Sequence, residues 1–215
     1  MASCRNGYLF LYNSIQFCGW LLILISRLVS LDNPRMAQDA EHLLYVFQSL
    51  AILEIFHSVS GIVRASPTTT IIQVVSRVQI IFVHNIVSEV KGSSGVAPMV
   101  AAWGLVETVR YLYLALNLFQ RSPVWLTWLR YSLFYILYPL GVYGEMRVLY
   151  DALPYLQERS VVSLELPNCW NFSFSFSSYV SLLLYVIYIP GLYVQYTHMM
   201  RQRVKSMGIR SVKDV

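Results

Sequence analysis

Apolar residues gather into six stretches that are each long enough to cross a lipid bilayer. A spanning helix needs roughly 20 mostly apolar residues, and short polar or proline-containing segments separate the six stretches. The predicted spans cover residues 8–29, 43–63, 69–90, 97–119, 124–150 and 178–199. The first span has no small-residue cleavage site after it, so we expect a retained anchor and not a removed signal peptide. The pattern predicts an all-α membrane protein, a bundle of about six transmembrane helices.

The composition agrees with a membrane protein. Of the 215 residues, 56% are hydrophobic and 13% are charged, whereas a soluble domain carries about 25% charged residues. The net charge is +5, but the basic residues form no single patch of the kind that binds nucleic acid. The three cysteines, Cys4, Cys18 and Cys169, lack metal-ligand spacing and are interpreted as small apolar residues.

The charges outside the spans predict the orientation. Cytoplasmic loops of membrane proteins collect Lys and Arg. With a cytoplasmic N-terminus, the cytoplasmic side receives Arg5, Arg64, Arg121, Arg201, Arg203, Lys205, Arg210 and Lys213. The opposite side, which includes the predicted loops 32–42 and 151–177, receives most of the acidic residues. We therefore expect one transmembrane domain over residues 1–215, with both termini cytoplasmic and a basic tail over 200–215.

Ionisable residues inside the spans carry the main functional signal. The second, third and fourth spans contain polar pairs three or four residues apart, namely Glu54 with His57, Gln73 with Arg77, and Glu107 with Arg110. Residues at these spacings share one helix face, and charges within a bilayer usually face a cavity or a partner. The pairs predict a polar pocket in the cytoplasmic half. The alternative is that the charges only neutralise one another across helices, and for His57 a structural role is favoured.

The fifth span contains a candidate acid–base pair. Tyr138 and Glu145 lie seven residues apart, so in an ideal helix they share a face at a separation of roughly 10 Å. Pro139, Gly141 and Gly144 lie between them, and a kink there would bring the side chains closer. A phenol and a carboxylate differ in proton affinity, as general acid–base catalysis requires. The alternative is a packing tyrosine in a helix with an ordinary proline kink.

Motifs along nearly the whole chain resemble the very-long-chain (3R)-3-hydroxyacyl-CoA dehydratases, also called protein-tyrosine-phosphatase-like A proteins. The resemblance extends from Tyr8-Leu-Phe-Leu-Tyr-Asn13 to Tyr188-Ile-Pro-Gly191. The most specific motifs are Leu53-Glu54-Ile-Phe-His57, Gln73-Val-Val-Ser-Arg77, Glu107-Thr-Val-Arg-Tyr111, Leu129-Arg130-Tyr131, Tyr138-Pro-Leu-Gly-Val-Tyr-Gly-Glu145 and Pro167-Asn-Cys-Trp-Asn-Phe-Ser-Phe174. Each motif alone would be weak, but together they indicate this family.

The resemblance implies the activity and the site. It implies a lyase that removes water from a (3R)-3-hydroxyacyl-CoA in fatty-acid elongation, without a metal or redox cofactor. It implies Tyr138 and Glu145 as the catalytic pair, with either of them as the base. The supporting or substrate-binding residues that it implies are Glu54, Gln73, Arg77, Glu107, Arg110, Arg130 and Gly141. Tyr143 departs from the smaller residue usual in the family, and we expect it to alter the pocket shape.

Further expectations concern the surroundings of the enzyme. The resemblance implies the endoplasmic reticulum membrane, with the condensing enzyme and the reductases of elongation as partners, and no nucleic acid. Arg77 and Arg130 are expected near the cytoplasmic face, where a guanidinium can hold the phosphates of coenzyme A.

Three alternative functions are considered. A phosphatase of the Cys-X5-Arg type is excluded, because Phe10, Leu24 and Ser175 stand where the arginine would be required. A small transporter would also bury charges, but we find no paired proline interruptions in the two halves. The third alternative is a non-catalytic scaffold of the same fold. Water elimination by the purified protein, lost when Tyr138 or Glu145 is changed, discriminates among them.

Overall fold

The protein is described by a computed structural model that covers residues 2–29, 34–160, 162–164 and 166–208. Regular structure in these residues is helical, apart from an isolated antiparallel bridge between Leu164 and Phe174. The α-helices are α1 (Ala2–Val29), α2 (Pro34–Leu50), α3 (Ile52–Val59), α4 (Pro67–Ile86), α5 (Val96–Asn117), α6 (Val124–Arg130), α7 (Phe134–Arg159), α8 (Phe176–Leu182) and α9 (Tyr188–Ser206). A 3₁₀ turn, Ser88–Gly92, follows α4, and a π turn, Leu183–Ile187, joins α8 to α9.

Five segments of the described chain are long and apolar enough to cross a membrane. They are Cys4–Val29, Asp39–Val59, Pro67–Ile86, Val96–Asn117 and Phe176–Ser206. Each overlaps a predicted span, so the all-helical membrane class is confirmed. Much of their surface is apolar and exposed, and within the most apolar part of the last segment only 11% is buried inside the protein. Such surface suits lipid, because a bilayer supplies the apolar surroundings that a soluble protein must build for itself.

The predicted fifth span differs from the others. Residues 124–150 do not form one helix: α6 ends at Arg130, a turn follows, and α7 begins at Phe134. The segment is not among the five apolar ones, because α7 carries Glu145, Arg147 and Asp151 near its middle. α7 also continues to Arg159, so the predicted loop 151–177 is shorter than expected.

Two other boundaries were wrong. The expected loop 32–42 is mostly helix, because α2 starts at Pro34, and proline is favoured in the first turn of a helix. The second span is divided by a turn at Ala51 into α2 and α3. Residues 30–33 and the end of the predicted basic tail, 209–215, lie outside the described residues.

The core lies where α1 packs on α5 and α5 packs on α7. α5 and α7 run antiparallel and approach closely at Gly95 and Gly144. A methyl group added at Gly144 would lie 2.7 Å from the Gly95 carbonyl oxygen and 2.7 Å from the Met99 nitrogen, too close for any side chain. Glycine at this crossing therefore allows the two backbones to touch, one residue before Glu145.

Charged groups are divided between the two ends of the helix bundle. One end carries the ion pairs Lys91–Glu41, Arg147–Asp151 and Arg159–Glu89. Towards the other end lie the polar residues predicted for the pocket, on α3, α4, α5 and the first half of α7. Because successive spans alternate in direction, residues far apart in sequence reach the same half of the bundle.

Candidate active site

A cavity of about 330 Å³ lies between α3, α4, α5, α7 and the segment Leu183–Met199. Its volume is within the range of small-molecule sites. Eight of the nine site residues predicted from the sequence line it: Glu54, Gln73, Arg77, Glu107, Arg110, Tyr138, Gly141 and Glu145. The structure thus brings residues from four helices to one place, as expected for a shared pocket.

Four charged side chains form a connected network at the wall of the cavity. Glu107 accepts hydrogen bonds from Arg77 and from Arg110, the latter at 2.7 Å, and Arg110 also pairs with Glu54. The Tyr111 hydroxyl donates to the other Glu54 oxygen at 2.5 Å. Two carboxylates therefore face two guanidinium groups, and the network carries no excess charge. This balance, with the added hydrogen bonds, is what buried ion pairs need to be tolerated.

Glu145 is held from two sides by neutral donors. The indole N–H of Trp103, on α5, donates to Glu145 Oε1 at 2.8 Å. The hydroxyl of Tyr188, at the start of α9, donates to Glu145 Oε2 at 2.9 Å. Trp103 also lies against Arg77, whose Cζ is 5.1 Å from the indole centroid. Glu145 is therefore fixed between α5 and α9 without a direct ion pair to either arginine of the network.

Tyr138 lines the same cavity, on the same helix as Glu145 and seven residues before it. Its ring lies 6.4 Å from the ring of Tyr196 in a tilted arrangement. Gly141, between the two, faces Ala102: a methyl group added there would meet Ala102 Cβ at 3.5 Å, an ordinary contact. The backbone at Gly141 thus forms part of the wall between the phenol and the carboxylate.

Arg130 is the predicted site residue that lies outside this lining in the described part of the chain. Its guanidinium stacks over the rings of Tyr113 and Tyr131, at 4.6 and 5.5 Å. His57 also lies away from the lining: it is buried, bonded to the Tyr8 hydroxyl at 2.8 Å and packed edge-on against Tyr12. These contacts favour a structural role for His57 over a role in the pocket.

Sequence reasoning missed Trp103 and Tyr188. Trp103 stands four residues before Glu107 and eight before Tyr111, so its spacing does place it on the polar face of α5. Tyr188 is one of sixteen tyrosines, and no spacing distinguishes it. Tyr143 corrects another expectation: its side chain is 58% exposed and does not line the cavity, so it does not shape the pocket.

The remainder of the lining is mostly apolar, with contributions from Trp20, Ala51, Ile72, Val106, Leu137, Leu183, Ile187 and Leu192. The cavity thus joins two candidate proton-transfer groups to walls that suit an alkyl chain. Such an arrangement can hold an amphiphilic substrate and offers it two groups that exchange protons.

Comparisons with known proteins agree with this chemistry. Residues 48–209 match the family described as protein tyrosine phosphatase-like protein, PTPLA. The chain is 38% identical to the very-long-chain (3R)-3-hydroxyacyl-CoA dehydratase hpo-8 of Caenorhabditis elegans, over 96% of this chain and 97% of that protein. It is 38% identical to very-long-chain (3R)-3-hydroxyacyl-CoA dehydratase 2 of Homo sapiens, over 94% and 82%.

A plant relative is similar to the chain as well. The dehydratase PASTICCINO 2B of Oryza sativa subsp. japonica is 35% identical, over 96% of each chain. No solved structure matches the chain.

Proposed function

Since the chain belongs to the protein tyrosine phosphatase-like (PTPLA) family, we propose that it eliminates water from a (3R)-3-hydroxyacyl-CoA to give a trans-2-enoyl-CoA. The relatives' names state the dehydratase activity and the substrate class. The single observation that carries the proposal is that Tyr138 and Glu145 line one cavity with apolar walls.

The reaction requires two proton transfers. In the proposed mechanism, Glu145 takes the C2 proton, the C2–H electrons form the C2–C3 double bond, and the C3–O bond breaks. Tyr138 donates its proton to the departing hydroxyl, which leaves as water. Return of the proton from Glu145 to the Tyr138 phenolate, through solvent, restores the starting state. Two groups of unlike proton affinity on one helix suit this order of steps.

The ion-pair network has a supporting role in this proposal. Glu54, Arg77, Glu107 and Arg110 are engaged with one another, so we assign them to the shape and rigidity of the wall. Gln73 and Gly141 contribute to the lining beside them. Because Arg77 is already paired, Arg130 is the better candidate for contact with the phosphates of coenzyme A.

The activity is tested with purified protein in lipid nanodiscs. We expect a long-chain (3R)-3-hydroxyacyl-CoA to lose one water, seen as a product 18 Da lighter by mass spectrometry (about the mass of water). The (3S) enantiomer serves as the matched control, since inversion at C3 moves the hydroxyl to a different position when the acyl chain and the coenzyme A are held in the same place. Equal turnover of both enantiomers, or of neither, would contradict the proposed function.

The proposed topology has six spans with both termini in the cytoplasm, in the membrane of the endoplasmic reticulum. α7 supplies the span additional to the five apolar segments. Ser93, just before α5, bonds to Asp151 of α7 at 2.7 Å, so Phe134–Asp151 lies beside α5. That length of helix rises about 26 Å, close to the roughly 30 Å of a bilayer core. The charges of this segment are compensated: Glu145 bonds to Trp103 of α5, and Arg147 pairs with Asp151 one turn further along α7, near one end of the bundle.

A glycosylation acceptor inserted near Gln157 tests this topology. Gln157 is exposed near the end of α7, which the proposal places in the lumen. We expect the inserted site to be glycosylated, and a tag after Val215 to be cleaved by protease added outside sealed microsomes. The matched control is the same acceptor near Arg121, which we expect to stay unmodified. Glycosylation near Arg121 with a protected tag would invert the topology.

The proposed partners are the condensing enzyme and the reductases of fatty-acid elongation. The support is chemical: this reaction consumes a 3-hydroxyacyl-CoA that a ketoacyl reductase produces, and it yields an enoyl-CoA that a second reductase consumes.

A further inference from the structure

Two neutral donors from different helices hold the Glu145 carboxyl group. Trp103 is buried in the core of α5, at 3% exposure, and its indole N–H can only donate. Tyr188 sits at the junction of the π turn and α9. One hydrogen bond reaches each oxygen of the Glu145 carboxyl group, from opposite helices.

The local sequence explains why Tyr188 points at Glu145. Pro190 has no N–H, so the Val186 carbonyl lacks its usual helical partner. The chain widens just before this point: the Tyr188 N–H donates to the Leu183 carbonyl, five residues back. A π turn contains one extra residue, which rotates the following helix by about 100° relative to a continuous α-helix. π turns of this kind are frequent at functional sites.

Two donated hydrogen bonds leave the carboxyl group available for chemistry. A carboxylate has about four lone-pair positions, two on each oxygen. Trp103 and Tyr188 occupy one position on each oxygen, so both oxygens keep a free position. The donors define the plane of the carboxyl group without using up its capacity to accept a proton.

We propose that Trp103 and Tyr188 are positioning residues that fix the plane of the Glu145 carboxyl group for proton transfer at the substrate C2. This inference rests on the proposed dehydratase function. Neither residue needs to touch the reacting carbons, and each acts through Glu145. Both side chains line the cavity beside Glu145, so loss of either donor lets the carboxyl group rotate.

The test compares Tyr188→Phe and Trp103→Phe with matched controls. Each change removes one donor and retains an aromatic ring. We expect kcat to fall by about 10–100-fold in each variant, since a misplacement of about 1 Å in a reacting group can cost a factor of this size. KM for the (3R)-3-hydroxyacyl-CoA should stay near the wild-type value in both variants, and the midpoint of thermal unfolding should stay near it in Tyr188→Phe. Trp103→Phe leaves a void in the core and is expected to lower that midpoint, so its kcat is measured well below the midpoint. The controls are Tyr185→Phe, one turn before Tyr188 and 60% exposed, and Trp128→Phe, 50% exposed, both expected to keep wild-type kcat.

A double variant tests whether Tyr188 acts only through Glu145. Tyr188→Phe made in the Glu145→Gln background should lower the residual rate no further, because the group on which Tyr188 acts is already lost. The inference is overturned if both single variants keep wild-type kcat, if KM rises at constant kcat, or if kcat falls only in proportion to the folded fraction. These outcomes differ from failure of the proposed function, in which the wild-type protein itself eliminates no water.

Discussion

Glu145→Gln and Tyr138→Phe are each expected to lower the rate of water elimination by about 10²–10⁴-fold, the usual effect of losing a general acid or base. Glutamine keeps the shape of the side chain, and its one amide oxygen can still accept from Trp103 or from Tyr188, but it cannot take the C2 proton. Phenylalanine keeps the ring of Tyr138 but has no phenol proton to donate to the departing C3 hydroxyl of the substrate. The measurement is kcat with purified variants and a (3R)-3-hydroxyacyl-CoA, after circular dichroism has shown that the variants are folded.

Matched substitutions on the same helix control for general damage. Tyr143→Phe changes an exposed tyrosine between the two candidates, and Glu158→Gln changes an exposed carboxylate near the end of α7. Both should keep wild-type turnover. If either Glu145→Gln or Tyr138→Phe also keeps it, the assignment of the catalytic pair is wrong.

Glu107→Gln is expected to cause the largest loss of stability among single changes in the wall of the cavity. Glu107 is 3% exposed and is the shared partner of Arg77 and Arg110. Without its charge, Arg110 keeps Glu54 as its only carboxylate partner and Arg77 loses the carboxylate with which it pairs. Removing one partner from a buried ion pair typically costs about 3–5 kcal/mol, because the charge left behind is desolvated and uncompensated. The measurement is the free energy of unfolding, by titration with dodecyl sulfate in mixed micelles.

Glu89→Gln provides the comparison at an exposed ion pair. Glu89 lies in the 3₁₀ turn outside the spans, and a hydrogen bond from Arg159 lowers the pKa of its carboxyl group below the usual range. The pair is solvated, so its loss should change the stability little. Equal effects of Glu89→Gln and Glu107→Gln would show that the network contributes no more than a surface pair, and the proposed structural role of Glu107 would fail.

Most of the fold could be predicted because apolar length is a direct requirement of the bilayer. Five predicted spans correspond to apolar segments of the structure. The predicted helix boundaries were wrong where contacts with the rest of the protein, and not with lipid, decide where a helix begins and ends. α7 packs its polar middle against α5, so its sequence does not show a uniform apolar stretch, and its end at Arg159 lies beyond the apolar region. The breaks at Ala51 and after Arg130 depend on tertiary packing that local patterns do not encode.

The charged part of the candidate site could be predicted because burying an unpaired charge is costly. Spacing alone placed Glu54, Arg77 and Glu107 in one pocket, because ionisable groups in spans must find partners. It did not reveal the donors to Glu145, since tryptophan and tyrosine are common in membrane helices for reasons of packing and interfacial preference. Which aromatic side chain reaches a carboxylate depends on the register of two helices, and for Tyr188 that register depends on a π turn.

The loosely packed last segment has a consequence for biosynthesis. Ribosomes add residues at about 5–20 per second, so the 47 residues between Arg159 and Ser206 take roughly 2–9 s to make. During that interval, α1 to α7 can already assemble around the paired Glu54, Arg77, Glu107 and Arg110. Glu145 then has Trp103 but not Tyr188, and the side of the cavity formed by Leu183–Met199 is still missing. Insertion of the last segment is therefore the step that completes the cavity around Glu145.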